Sequence, residues 1–355
     1  MRAALFGMLI AGLCLGGSCS AEDHAGNVSR LYSFVGDYPL GAGTNRTDYE
    51  SFDPAARRLY ISKMGAGQLL VFDTEQNKLV ATLDGFPKVT GVLAVPELHK
   101  VYASVPGAGL AQSILVGLGM AGLSSGHGAI AIRDSQSLKE LARVPGGVFP
   151  DGIAYDPRDH RIFVSDEMGG AVTVLDADSD KPRGRIDTGG EVGNVRYDAA
   201  TQSAHVPVQS HNELIAIDPV HMTVTARHAL AGCDHPHGFI VAPSGGIGYV
   251  ACDGNDRLLT VDLANGHVLG NQPVAHDPDV LAIDANAKRL YVAAESGNLS
   301  TFDVAKPDAP VSLGDVFVAD GAHAVAVDPE THRLYFGLAN ANGRAVLRVL
   351  IPKQT

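Results

Sequence analysis

Residues 324–336 read AVAVDPETHRLYF, in which an apolar segment runs into an Asp-Pro turn and is followed by an aromatic-centred segment. Short apolar runs bounded by turn-forming residues are typical of β-strands. The aromatic-centred segment recurs along the chain, at residues 58–61, 100–103, 161–164, 247–250, 289–292 and 333–336, with 203–206 as a degenerate seventh copy. Internal repeats of this kind predict one repetitive β-domain, although the length of 355 residues would suggest about two domains.

The repeat length identifies the architecture. The residues five positions before the Asp-Pro-like turn are Asp48, Thr90, Asp151, Gly193, His237, Asp279 and His323, and they are separated by 42, 61, 42, 44, 42 and 44 positions. Each unit has room for four short strands, and in six copies the third strand ends in aspartate, at Asp73, Asp134, Asp176, Asp218, Asp262 and Asp303. We therefore expect an all-β protein, a seven-bladed β-propeller with four-stranded blades, forming a single domain over residues 22–355.

The last unit is expected to lack one strand within its own repeat. Its third strand falls at 345–350, and the segment 31–35 is apolar enough to supply the fourth strand from the other end of the domain. Pairing of this kind covers an otherwise bare sheet edge. The N-terminal strand is thus predicted to complete the last blade.

The Arg-Leu-Tyr-Val and Asp-Pro repeats resemble those of the YVTN/YncE-like β-propeller family over nearly all of residues 22–355. The resemblance implies the propeller fold. It implies no single function, since related propellers include lactonases, cofactor-bearing dehydrogenase subunits, nucleic-acid binders and proteins without known activity.

The first residues have the features of an export signal. One arginine precedes an apolar run that ends in small residues, which predicts a signal peptide over 1–21 and a mature chain that starts at Glu22. A lipoprotein attached through Cys19 is the weaker alternative, because Gly16 stands where a large aliphatic residue is expected. We therefore predict a periplasmic or secreted protein.

Two cysteines, Cys233 and Cys252, remain in the predicted mature chain. In an oxidising compartment this even number predicts a disulfide, which would hold the loop before His237. A thiolate metal site is the alternative.

Composition excludes some classes of partner. The formal net charge is −12, which argues against a nucleic-acid partner, and no apolar run after the leader is long enough for a transmembrane segment. The expected partner is a small-molecule ligand or a periplasmic protein, and a monomer is expected. The chain has no Gly-x-Ser-x-Gly motif and no Cys-x-x-Cys-His motif, which disfavours a serine triad and covalent haem.

Candidate site residues cluster at one position of the repeat. The first strand of each blade starts at the upper mouth of the central channel, so the aligned positions form a ring there. The ring contains five metal-ligand types, Asp48, Asp151, His237, Asp279 and His323. Mixed imidazole and carboxylate ligands predict a site for a divalent metal ion such as zinc, manganese, iron or copper. In the alternative interpretation, these polar side chains are hydrated at the channel mouth, the aspartates cap turns, and no metal is bound.

The loops between the second and third strands open on the same face. Alignment places Glu167, Gln209, Asp253 and Glu295 at one equivalent position. Glu295 or Glu167 is the candidate catalytic base if the site hydrolyses a ligand. The equivalent loop of the second blade carries an apolar insertion at about 107–127, interpreted as a lid, a helix on the rim or a docking surface.

Two functions of different class follow from these features. One is binding of a ligand or metal in the upper mouth, with metal-dependent hydrolysis of the lactonase type as its catalytic form. The other is a periplasmic scaffold that binds proteins without chemistry of its own.

Overall fold

The computed structural model describes residues 30–43, 45–106 and 128–353. The predicted leader and the 107–127 insertion lie outside the described residues. The described chain forms seven four-stranded antiparallel sheets, and in six of them the strands pair in the order in which they follow along the chain. The predicted seven-bladed β-propeller is confirmed.

Each blade consists of four short strands. Blade 1 contains Glu50–Asp53, Arg58–Lys63, Gln68–Asp73 and Lys78–Asp84. Blade 2 contains Val92–Val95, Lys100–Val105, Gly128–Asp134 and Glu140–Gly147. Blade 3 contains Pro150–Asp156, Arg161–Asp166, Ala171–Asp176 and Pro182–Asp187. Blade 4 contains Arg196–Asp198, Ser203–Val208, Glu213–Asp218 and Thr223–Ala229.

The remaining blades follow the same plan. Blade 5 contains Pro236–Val241, Ile247–Cys252, Arg257–Asp262 and Val268–Pro273. Blade 6 contains Pro278–Asp284, Arg289–Ala294, Asn298–Asp303 and Val311–Phe317. Blade 7 contains Ala326–Asp328, Arg333–Ala341, Arg344–Pro352 and the N-terminal strand Tyr32–Pro39. Short 3-10 helices occupy Met64–Ala66, Pro96–Leu98 and Gln209–His211.

The N-terminal strand closes the ring as predicted. Tyr32–Pro39 pairs antiparallel with Arg344–Pro352, with Tyr32 opposite Pro352. The buried Tyr32 ring packs in the apolar cluster between blades 6 and 7, and its hydroxyl is hydrogen-bonded to Thr301. The pairing runs farther than the predicted segment 31–35, because the third strand of blade 7 is also longer than predicted.

The repeated aromatic residues form the core between blades. Tyr60, Tyr102, Phe163, Tyr249, Tyr291 and Tyr335, from the second strands of six blades, have no exposed surface. Burial of one large apolar side chain contributes roughly 1.5–3 kcal/mol, so the repeated aromatic residue stabilises these six blades in the same way. The degenerate copy at 203–206, in blade 4, has His205 at this position, and burial lowers the pKa of His205 to about 4. This histidine is therefore neutral in the core at pH 7.

The Asp-Pro motif is explained by hydrogen bonds in the turn. Asp53 Oδ1 accepts hydrogen bonds from the backbone N–H groups of Ala55 and Ala56, at 2.9 and 3.0 Å. Aspartate favours such turns because its side chain replaces a backbone acceptor. The same role explains the aspartates that end the third strands, as at Asp73, which accepts hydrogen bonds from the N–H groups of Glu75 and Gln76.

Candidate functional site

A cavity of about 390 Å³ lies at the upper mouth of the channel. It is formed by the starts of the first strands and by the loops between the second and third strands. Its lining includes Arg46, Asp48, Tyr49, Asp151, Glu167, Gln209, His235, His237, Asp253, Asp277, Asp279 and Glu295. The ring and the four aligned loop positions, which the repeat predicted separately, thus contribute to one concavity.

Glycines allow the first strands to approach each other here. A Cβ atom on Gly91 would lie 2.0 Å from the carbonyl oxygen of Asp151, and a Cβ atom on Gly238 would lie 2.0 Å from that of Asp279. Both distances are far below van der Waals contact. Neighbouring blades therefore pack with backbone against backbone, which brings the ring side chains close together.

Asp279, Glu295 and His323 form a group that could hold a metal ion. One ligand atom from each lies within 4.8 Å of the other two. His323 Nδ1 is 2.7 Å from Asp279 Oδ2 and 3.5 Å from Glu295 Oε1. One imidazole nitrogen and two carboxylates are a donor set that suits zinc, manganese or iron.

The other nitrogen of His323 fixes the orientation of the ring. Nε2 lies 3.1 Å from the carbonyl oxygen of Thr47, which can only accept a hydrogen bond. Nε2 therefore carries a proton, and Nδ1 faces the two carboxylates. Metal-binding histidines generally donate their second N–H to a carbonyl or carboxylate in this manner.

Arg46 interacts with one member of this group. Its guanidinium forms an ion pair with Glu295, with Nη1 at 3.4 Å from Oε2. The Arg46 side chain is 48% exposed, so it can move away from Glu295 without leaving a buried site. Glu295 is thus paired with a guanidinium that can move away from it.

Tyr49 connects the other side of the cavity. Its hydroxyl donates to Asn194 Oδ1 at 2.9 Å, and it lies 3.3 Å from Asp151 Oδ2 and 3.5 Å from His237 Nε2. His237 in turn is 3.5 Å from Asp279 Oδ1. Ring residues and their neighbours from blades 1, 3, 4, 5 and 6 therefore form one hydrogen-bonded and charged network, which Asp279 extends to His323 of blade 7.

The cavity concentrates negative charge. Burial and the charge of Asp151 raise the pKa of Asp48 well above its usual value. Burial lowers the pKa of His237, but the carboxylates of Asp279 and Glu167 outweigh this and raise it to about 9. The same balance, dominated on the raising side by the hydrogen bond to Asp279, raises the pKa of His323 to about 9. Carboxylates in excess hold both imidazoles in the protonated form, which indicates that the site attracts cations.

Glu167 has the properties of a general base near neutral pH. Burial and the charge of Asp151 raise its pKa to about 7. A carboxyl group with this pKa is partly ionised at pH 7 and exchanges protons efficiently there.

The structure places the predicted site residues as follows. Asp48, Asp151, His237 and Asp279 line the cavity, as do Glu167 and Glu295, and His323 contacts Asp279. The three-residue metal group combines two of the five predicted ligands with Glu295, which the sequence suggested as a base.

Sequence reasoning gave no role to Arg46 or Tyr49. Arg46 precedes the aligned ring position and left no signal in the repeat. Tyr49 did leave one, because it is the sole aromatic residue in an alignment column of Tyr49, Gly91, Gly152, Asn194, Gly238, Val280 and Ala324.

The predicted disulfide is present in the structure. Cys233 and Cys252 are bonded, with their Cα atoms 5.4 Å apart. Between them in the sequence, His235 Nδ1 donates a hydrogen bond to Asp253 Oδ1 at 2.7 Å. The bridge ties the loop before His237 to the end of the second strand of blade 5.

Comparison with known proteins supports the fold and leaves the family open. No family model matches the chain, and no curated protein matches its sequence. Similar solved structures include Kuenenia stuttgartiensis hydrazine synthase, with a TM-score of 0.70 and 15% identity over 90% of this chain and 99% of that one. The RRP9 WD40 repeats have a TM-score of 0.73 and 8% identity, covering 91% and 100% of the two chains. U3-55K has a TM-score of 0.71 and 9% identity, covering 89% and 98%.

These similarities concern the fold. At such low identity they transfer no ligand or activity to this chain. Among the described residues, no helix is long and apolar enough to cross a membrane.

Proposed function

We propose that this protein binds one divalent metal ion at the upper mouth of its propeller, with Asp279, Glu295 and His323 as ligands. The observation that carries the proposal is the orientation of His323. Its Nε2 is occupied by the carbonyl of Thr47, while Nδ1 faces two carboxylates. A metal ion would replace the Nδ1 proton and keep the same ring position.

The surrounding charges support a cation in this position. The lining contains seven carboxyl groups, Asp48, Asp151, Glu167, Asp253, Asp277, Asp279 and Glu295. In this proposal Asp48, Asp151 and His237 surround the ion without being its nearest ligands. Arg46 releases Glu295 when the ion enters, since two cations would otherwise share one carboxylate.

Metal content of the purified protein tests this proposal. The wild-type protein is stripped with a chelator, incubated with Zn²⁺ or Mn²⁺, desalted and analysed for metal. We expect about one ion per chain, lost in His323→Gln and retained in His276→Gln. His276 is a suitable control because it also pairs with an aspartate, Asp256, but lies exposed outside the cavity. Equal metal content in both variants would refute the site.

Metal-assisted hydrolysis is the second candidate function, favoured by Glu167. A carboxylate with a pKa of about 7 in the same cavity as a metal site is suited to activate water against a small ester or lactone. The test is hydrolysis of a panel of lactones by the metal-loaded protein. We expect Glu167→Gln to abolish turnover and to leave the metal content unchanged. No turnover by the wild-type protein on any lactone would remove the catalytic proposal and leave metal binding intact.

Export is part of the same proposal. The leader-like residues 1–21 and the Cys233–Cys252 disulfide both support a periplasmic or secreted location, because such bonds persist in oxidising compartments. The repeat motifs support kinship with the YVTN/YncE-like propellers. N-terminal sequencing of the exported protein should give Glu22 as the first residue. A chain that retains Met1 in the cytoplasm would contradict this location.

A further inference from the structure

A second cavity, of about 480 Å³, lies in the channel below the metal-binding mouth. Tyr49 lines both cavities. The walls of the lower cavity come from the middle and the ends of the first strands and are largely apolar, including Val92, Ile153, Val280 and Val325. Ligand pockets in proteins have this size and this mainly apolar lining.

Arg196 is the one arginine or lysine that lines the lower cavity within the described residues. Its Nη1 donates to two backbone oxygens, of Val195 at 2.8 Å and of Ile153 at 3.5 Å. Within the described chain, no carboxylate oxygen lies within 4.0 Å of its guanidinium. Burial lowers the pKa of Arg196, but a guanidinium stays protonated in proteins. The charge of Asp151 acts on Arg196 only from a greater distance. The cavity wall therefore contains a positive charge whose hydrogen bonds go to backbone carbonyl oxygens.

The two carboxyl groups that line this cavity, Glu50 and Glu97, form no ion pair with Arg196. Glu50 is on blade 1, and its Oε1 accepts a hydrogen bond from the N–H of Gly337 on blade 7. Its Oε2 is buried without a hydrogen-bond partner. Glu97 is exposed at the rim, in the 3-10 helix Pro96–Leu98. The lining of the lower cavity thus includes a guanidinium without an ion pair and a carboxyl group with one unpartnered oxygen.

Buried polar groups without partners cost free energy, and a buried charge costs the most. A bound anion would remove this cost, and a guanidinium recognises a carboxylate through two parallel N–H···O bonds. The apolar walls require that the rest of the ligand be apolar. A single guanidinium matches a single negative charge better than the double charge of a phosphate.

We propose that the lower channel binds a small monocarboxylate with an apolar body, with its carboxylate on Arg196. The site is distinct from the metal site. Its occupancy does not depend on a bound ion, and it is tested on the chelator-treated protein.

The test compares two ligands that differ only in charge. Binding of octanoate and of octanamide to the metal-free wild-type protein is measured by isothermal titration calorimetry. We expect one octanoate per chain and an affinity for octanamide about tenfold or more weaker, as for the loss of a charge-assisted hydrogen bond. This comparison needs no variant, so it holds even if substitutions at Arg196 impair folding. Equal binding of the two ligands, or no octanoate binding, would overturn the proposal.

Variants then locate the ligand. Arg196→Gln should weaken octanoate binding about tenfold or more and leave the octanamide affinity unchanged. Arg196→Lys should lose only part of the octanoate affinity, because lysine keeps the charge but not the planar pair of donors. His276→Gln, which lies outside both cavities, serves as the control and should bind octanoate like the wild type. Loss of octanoate binding in His323→Gln with retention in Arg196→Gln would place the acid in the upper mouth and refute the lower site.

Discussion

In the metal-free protein, the ion pair between His323 and Asp279 should make stability depend on pH. The pKa of His323 is raised from 6.5 to about 9, against the effect of its own burial, by the hydrogen bond and charge of Asp279. A histidine whose pKa is raised on folding contributes its full stabilisation below the unfolded pKa, near 6.5. That contribution is lost as the pH rises through about 9.

The expected magnitude follows from the pKa values. A tenfold change in proton affinity is worth about 1.4 kcal/mol, so a pKa raised from 6.5 to about 9 corresponds to about 3 kcal/mol of unfolding free energy. The pKa of Asp279 is lowered by the same contact. The interaction is counted once, and about 3 kcal/mol is the whole expected effect.

Urea unfolding of the wild type and of His323→Gln, in chelator, measures this contribution. Glutamine keeps a hydrogen-bond donor but cannot be charged, so the difference in unfolding free energy between the two proteins isolates the titration. We expect that difference to shrink by about 3 kcal/mol between pH 6.5 and a pH well above 9. A difference that stays constant over this range would show that Asp279 does not hold His323 in its charged form.

Three further predictions follow from the same structure. The affinity for Zn²⁺ should rise about tenfold per pH unit between pH 6.5 and 8.5 and level off above 9, because the ion displaces the Nδ1 proton of His323. A pH-independent affinity in competition titrations would exclude His323 as a ligand. Replacing both Cys233 and Cys252 by serine should lower the unfolding free energy by about 3 kcal/mol, since the bridge joins positions 19 apart. Denaturation of the non-reduced wild type and of the variant measures this difference, and equal stability of the two proteins would contradict the prediction. Gly238→Ala should lower the unfolding free energy by about 3 kcal/mol in the same assay, because the Cβ of the alanine would overlap the carbonyl oxygen of Asp279. Unchanged stability would show that blades 5 and 6 can separate there.

The fold was predictable because equivalent positions of the blades pack in the same way and are occupied by the same types of residue. Tyr60 and Tyr291 fill equivalent positions between blades, and Asp53 and Asp328 cap equivalent turns. Even the strand that closes the ring could be found, because blade 7 lacks a fourth strand in its own repeat. Its length was underestimated, since the extent of pairing depends on the partner strand Arg344–Pro352.

The site was predictable only as a set of positions. Alignment placed His237, Asp279 and His323 at one mouth, but it could not show that His323 contacts Glu295 or that Nε2 is occupied by Thr47. Those contacts join residues of different blades, and their geometry depends on how the blades pack. Arg196 was missed although it is the one charged residue in its alignment column of Ser51, Leu93, Ala154, Arg196, Ile240, Ala282 and Ala326, because it matters only through the cavity that it lines.

The sequence by itself determined the seven blades, the disulfide pair and the ring of titratable side chains, because strand periodicity, turn formation and repeat spacing are local properties. Only the tertiary structure decided which three side chains converge on one point. It alone also showed an acidic upper cavity and a largely apolar lower cavity lined by Arg196, with Tyr49 at both. The physical reason is that ligand geometry and the pKa of a buried group depend on distances of a few ångströms between blades. Those distances are set by backbone contacts such as that of Gly238 with Asp279, which repeat spacing does not encode.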